Sequence, residues 1–99
     1  MARVRLDLNN PAFLEVWFRL QDKEALAVLR SLRKITRLEW DQLYRDSGLK
    51  WEAILSATTS GGERLYSLRV SKQVRATAVR AGEFLRFISL HPDHDSTYQ

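Results

Sequence analysis

At 99 residues the chain has room for one domain with its own core, and the absence of cysteine excludes a disulfide scaffold, a thiolate zinc site and a cysteine nucleophile. Hydrophobic residues make up 44% and charged residues 28%, the balance of an ordinary globular protein. A formal net charge of +4 points to a polyanionic partner, either nucleic acid or an acidic protein segment. No apolar run approaches the roughly 20 residues of a membrane span. Met1-Ala2-Arg3-Val4-Arg5 runs directly into Asp7, Asn9 and Asn10, so no apolar signal-peptide segment develops. The expected setting is cytoplasmic, with no membrane partner.

Val4, Leu6 and Leu8 alternate with Arg3, Arg5 and Asp7, the period of a half-buried strand. Asn10-Pro11 predicts an N-cap followed by proline at the first helical position. Phe13, Val16, Trp17 and Leu20 then recur at i, i+3, i+4 and i+7 and give a first helix one apolar stripe. Asp22 is the expected cap of a second, longer helix with Ala25, Val28, Leu29, Leu32, Ile35 and Thr36 on its inner face. The short gap between the two predicts an antiparallel helical hairpin. Trp40, Leu43 and Tyr44 predict a short third helix that stops near Gly48. Trp17, Trp40 and Trp51 read as packing residues.

From Lys50 the period changes to that of strands, expected at roughly 50–57, 64–70, 74–80 and 84–91. Ser60-Gly61-Gly62 and Ala81-Gly82 supply hairpin turns, and Ser71-Lys72-Gln73 a short connection. Helices grouped together and followed by consecutive strands predict an α+β fold. An N-terminal strand and helical hairpin would pack on a twisted antiparallel sheet, as one domain over residues 1–99.

The alternation separates two faces. Leu68, Val70, Val74, Ala76, Ala78, Ile88 and Leu90 share one parity and are expected to meet the helices. Ser67, Arg69, Ser71, Arg75, Thr77, Ser89 and His91 share the other, and Leu85 and Phe87 also fall there. Arg69, Arg75 and His91 are thereby expected near one another on the polar face. Such a face is ordinarily a solvated sheet surface. The alternative is a phosphate-binding patch, because guanidinium groups present forked donors that match phosphate oxygens and position a nucleic acid without reading its sequence.

The terminal run His91-Pro92-Asp93-His94-Asp95-Ser96-Thr97-Tyr98 holds both histidines, with two carboxylates and a tyrosine. His91 and His94 can move protons near neutral pH, and the Tyr98 phenol can do so where cations lower its pKa. The rival reading of this run is a plain polar tail. His91, Asp93, His94 and Asp95 match no metal-ligand spacing, and neither a metal nor another cofactor is expected. Arg30, Arg33, Lys34 and Arg37 lie at i, i+3, i+4 and i+7 on the outer face of the second helix. They form either a solvated stripe or a docking surface for RNA or an acidic protein.

The runs Tyr66-Ser67-Leu68-Arg69-Val70 and Val74-Arg75-Ala76 resemble the "Y-x-L-R-V … R" strand pair of the RelE/HigB toxins of type II toxin–antitoxin systems. Leu85-Arg86-Phe87-Ile88-Ser89-Leu90 and the ending Asp95-Ser96-Thr97-Tyr98 resemble that family's last strand and D-x-x-Y segment. The resemblance implies a RelE-like fold and a ribosome-dependent endoribonuclease (an mRNA interferase) that inhibits translation. It also implies metal-independent attack of a ribose 2′-OH on the adjacent phosphate of mRNA in the ribosomal A site, and silencing by a cognate antitoxin. By the same resemblance Arg69 stabilises the phosphorane, and Arg75 assists or holds a flanking phosphate. Tyr98 acts as a base or orients the ribose and stacks on a base.

His91 and His94 are the candidate proton carriers, and strand parity favours His91 because it aims toward the arginines. Lys50 is a loose match to the family's catalytic lysine. Lys50, Arg30, Arg33, Lys34 and Arg37 are then RNA contacts, to mRNA or ribosomal RNA. Pro92 interrupts the stretch in which family members carry a histidine or basic pair. Two other functions suit the same fold. A ParE-like toxin inhibits DNA gyrase without nuclease activity, and a non-catalytic RNA- or protein-binding module would carry the terminal run as a mere tail.

Overall fold

The structure is a computed structural model and describes residues 2–92. The elements in chain order are β1 (Arg5–Asp7), α1 (Pro11–Arg19), α2 (Asp22–Ile35), α3 (Trp40–Arg45), β2 (Glu52–Thr58), β3 (Arg64–Arg69), β4 (Val74–Ala81) and β5 (Phe84–Pro92). The five strands form one sheet in the order β1-β5-β4-β3-β2. β2 to β5 make the antiparallel meander expected of consecutive strands. β1 adds to its edge in parallel with β5, which makes the sheet mixed. The fold is α+β, with three helices and a five-stranded sheet.

The helix starts follow from local chemistry. The Asn10 side-chain oxygen accepts from the Ala12 N–H at 2.9 Å, and Pro11 occupies the first turn, where its missing N–H costs nothing. α2 starts differently from the expectation that Asp22 would cap it. Gln21 is the N-cap and makes no side-chain cap bond, while Asp22 is already helical. With Glu24, Asp22 places negative charge in the first turn, where it favours the helix dipole. α3 is closed by a reciprocal pair, the Gln42 side chain accepting from the Glu39 N–H and the Glu39 side chain from the first-turn backbone.

The core lies between the helices and one face of the sheet. α1 packs on β5, with the Phe13 and Phe87 rings 4.9 Å apart, and the Trp17 indole N–H donates to the Ala25 carbonyl of α2 at 3.1 Å. Val28, Leu32 and Ile35 of α2 are buried against Leu68, Val70, Val74 and Ala76. Thr36, expected on the inner face, is instead exposed at the helix C-cap, where its hydroxyl donates to the Arg33 carbonyl at 2.7 Å. Trp40 is buried, whereas Trp17 and Trp51 are partly buried packing residues, with Trp51 stacked on Tyr66 at 4.4 Å.

One irregularity decides which side chains of β5 reach the core. Thr77 pairs with Ser89, but Ala78 pairs with Phe87, so Ile88 is skipped. The extra residue is a β-bulge, and it inverts the alternation of everything before it in the strand. Leu85 and Phe87, expected on the polar face, are therefore fully buried together with Leu90. Ile88, expected in the core, is only half-buried and lines the opposite surface. The Asn10 amide fixes this kink by donating to the carbonyls of Phe87 and Ile88 at 3.4 and 3.1 Å. Among the described residues no helix is long and apolar enough to cross a membrane.

Candidate functional site

The helices leave the other face of the sheet uncovered, and the strand register lines up its side chains. Arg69 of β3 stands opposite Arg75 of β4, and Arg75 opposite His91 of β5. Adjacent strands lie about 4.8 Å apart, so the row is about 10 Å long. One step along the strands runs a second row, in which Glu52 pairs with Ser67, Ser67 with Thr77, and Thr77 with Ser89. Arg75 and His91 are exposed, and Arg69 is half-buried.

The two rows are joined by hydrogen bonds. The Thr77 and Ser89 hydroxyls are hydrogen-bonded to each other, and the Ser89 oxygen lies 2.7 Å from Nε2 of His91. Ser89, itself bonded to Thr77, thereby holds the imidazole through Nε2. Ser89 stands two residues from His91 on the same face of β5, so their contact follows strand parity, whereas the Thr77–Ser89 bond exists only through the pairing of β4 with β5.

Two arginines directly opposite on neighbouring strands repel one another, at a cost of roughly 0.2–1 kcal/mol to the sheet. Among the described residues Lys34 pairs with Asp46 and Arg86 with Glu63, and Glu52 stands in the neighbouring row of the same face. The row concentrates positive charge on an open surface, and an anion bound across it relieves that repulsion. Guanidinium pairs at this spacing suit a phosphodiester better than a compact anion, because their forks contact different oxygens of one group or of neighbouring groups.

The backbone at the end of β3 extends the row toward Lys50. The Arg69 N–H donates to the Leu49 carbonyl at 2.7 Å, which sets Lys50 beside Arg69. Lys50 holds a left-handed conformation, with φ 50, unusual for a residue with a side chain. Asp46 organises this loop, accepting from the N–H groups of Gly48 and Leu49 at 2.9 Å each and pairing with Lys34 at 2.9 Å. Burial pulls the Asp46 carboxyl upward. The hydrogen bond from Lys34, the Leu49 and Gly48 amides and the Lys34 charge outweigh that effect and hold it below its ordinary value.

The remaining candidates fall elsewhere. Arg30 and Arg33 are exposed on α2, whereas Arg37, expected on the same helix face, lies in the turn past its C-cap; all three are in the layer that covers the opposite face of the sheet and do not join the row. Lys34 shares that helix and is committed to Asp46. His94 and Tyr98 lie outside the described residues. No cluster of three or more metal-ligating side chains occurs among the described residues.

Fold and site together define an α+β domain with an open cationic sheet face. No family model and no curated protein matches the chain. Among solved structures it is similar to a copper-bound mutant toxin from Helicobacter pylori, at 14% identity over 99% of this chain and 100% of that chain, with a TM-score of 0.47.

Proposed function

We propose that the chain is the toxin of a type II toxin–antitoxin system, a ribosome-dependent endoribonuclease that cuts mRNA at the uncovered sheet face. The observation that carries this reading is the row Arg69–Arg75–His91, two guanidinium groups in register with an imidazole. It supplies the parts that metal-free RNA cleavage needs. A base removes the 2′-OH proton, the 2′ oxygen bonds to the adjacent phosphorus, and the 5′ oxygen leaves with a proton from an acid. The product is a 2′,3′-cyclic phosphate.

Arg69 and Arg75 contact the non-bridging oxygens and favour the phosphorane, whose negative charge exceeds that of the diester. His91, held by Ser89, carries one of the two protons. His94 and Tyr98 are the proposed second carriers. Lys50 and the basic group Arg30, Arg33, Lys34 and Arg37 supply contacts to mRNA and ribosomal RNA outside the reacting group. The proposed antitoxin covers the row with an acidic segment in the cytoplasm.

Primer extension on mRNA after brief induction tests the reading. Discrete cuts within codons are expected, unaffected by chelators in the corresponding translation extract. Arg69→Ala is expected to lower cleavage by about 10²–10³-fold, the usual effect of removing one charge-stabilising donor. Intact transcripts, DNA damage in their place, or undiminished cutting by Arg69→Ala would each overturn it.

A further inference from the structure

Beyond the bulge, the uncovered face holds a second feature that the cationic row does not use. β4 separates β3 from β5 in the sheet, yet Glu63 and Arg86 meet across it at 2.6 Å. Val79, paired with Arg86, is fully buried although it belongs to the outward parity, as expected beneath such a bridge. Beside the bridge lies a cleft of about 520 Å³, bounded by the β2–β3 turn at Ser60 and by Asn9 ahead of α1. Its apolar lining is Leu65 and Ile88.

These two apolar residues point away from the core. Ile88 does so because the bulge turns it outward, so the kink that seats Phe87 in the core also builds this floor. An apolar floor with a rim of amide, hydroxyl, carboxylate and guanidinium groups suits a flat, partly apolar ligand with a hydrogen-bonding edge. Ile88 lies next to Ser89 and about 10 Å along the strand from His91, a span that an extended single strand bridges.

We propose that this cleft is a nucleobase subsite: it takes an unstacked base of the RNA whose phosphates lie on Arg69 and Arg75, with the base on Leu65 and Ile88 and its edge toward Asn9, Glu63 and Arg86. The proposal rests on the nucleic-acid reading of the row and names what the same face recognises next to the phosphate. Base contacts of this kind carry the sequence preference that phosphate contacts lack.

The test is titration of the isotope-labelled full chain with adenosine and uridine 5′-monophosphates, and with ribose 5-phosphate as a base-free probe, followed by amide chemical shifts. The nucleotides are expected to bind at least about fivefold more tightly than ribose 5-phosphate, the gain from covering a small apolar floor. They should shift Leu65, Arg86 and Ile88 as well as the arginine row, whereas the base-free probe shifts the row alone. Ile88→Ser should abolish the difference between the probes while keeping ribose 5-phosphate affinity, and Asn9→Ala serves if that variant loses its fold.

Equal affinity for all three probes, or nucleotide shifts confined to the row, would overturn the subsite. The outcome is separable from catalysis. Base-dependent binding without transcript cleavage sinks the ribonuclease and upholds the cleft, and cleavage without base-dependent binding does the reverse.

Discussion

Asp46 lies in the loop that brings Lys50 beside Arg69, and its carboxylate accepts two of that loop's amides. Its folded carboxyl is held below the ordinary value, so it stabilises the fold above that ordinary value, and the contribution is lost as pH falls through the lowered one. The Lys34 hydrogen bond is the largest of the influences that lower the carboxyl, but the Lys34 side chain is 48% exposed, so solvent screening discounts what the pair contributes to stability. Asp46→Ala removes the acceptor of both amides together with the Lys34 pair and is therefore expected to lower stability by about 1–2 kcal/mol at neutral pH. The gap from the parent should narrow as the pH falls below 3.8, the ordinary value of the group, and through its lowered one. Urea unfolding at neutral pH and below that lowered value checks this, and an equal gap at both would contradict it. At this scale the arginines and His91 were legible from parity, since a strand's period of two sorts side chains by face. The Lys34–Asp46 and Thr77–Ser89 contacts were not, because each joins groups on different elements whose separation depends on how those elements pack.

At the scale of elements, Asn10 joins α1 to the bulge in β5. Its oxygen caps the helix, and its amide nitrogen holds the carbonyls that the bulge turns away from the ladder. Asn10→Ala removes both and is expected to cost about 2 kcal/mol. Asn10→Asp keeps the cap but has no N–H to donate, so its loss should fall between those of Ala and the parent in denaturant midpoints. Similar losses for Asp and Ala would show that the cap contributes nothing. The helices and strands themselves were readable to within a few residues from the 3.6 and 2.0 periods and from Asn10-Pro11, Gly62 and Gly82. The bulge was visible only as a conflict: Leu85 and Phe87 on one parity, Leu90 on the other. An extra residue resolves it, and only the pairing with β4 places that residue at Ile88.

Across the whole molecule, the helices cover one face of the sheet and leave the other as a cationic surface with a cleft beyond it. If that surface binds RNA by releasing counterions, the logarithm of affinity should fall with the logarithm of salt concentration. A slope of about −0.7 is expected for each single-strand phosphate neutralised. Arg75→Ala is expected to flatten the slope by about 0.7 while leaving the fold intact. Filter binding of an unstructured RNA across salt concentrations measures this, and a slope indifferent to Arg75 would remove it from the interface.

The basic charge, the α+β class, the positions of the elements and the polar parity holding Arg69, Arg75 and His91 are all properties of neighbouring residues along the chain, and local periodicity suffices to read them. Tertiary structure alone decided that the two arginines and the histidine share one row, that β1 joins the sheet in parallel, that Ile88 faces outward, and that Glu63 reaches Arg86 over β4. Each of these depends on the order and register in which separate strands pair, which the periodicity of a single strand does not set. A shift of one residue in register exchanges the two faces of a strand.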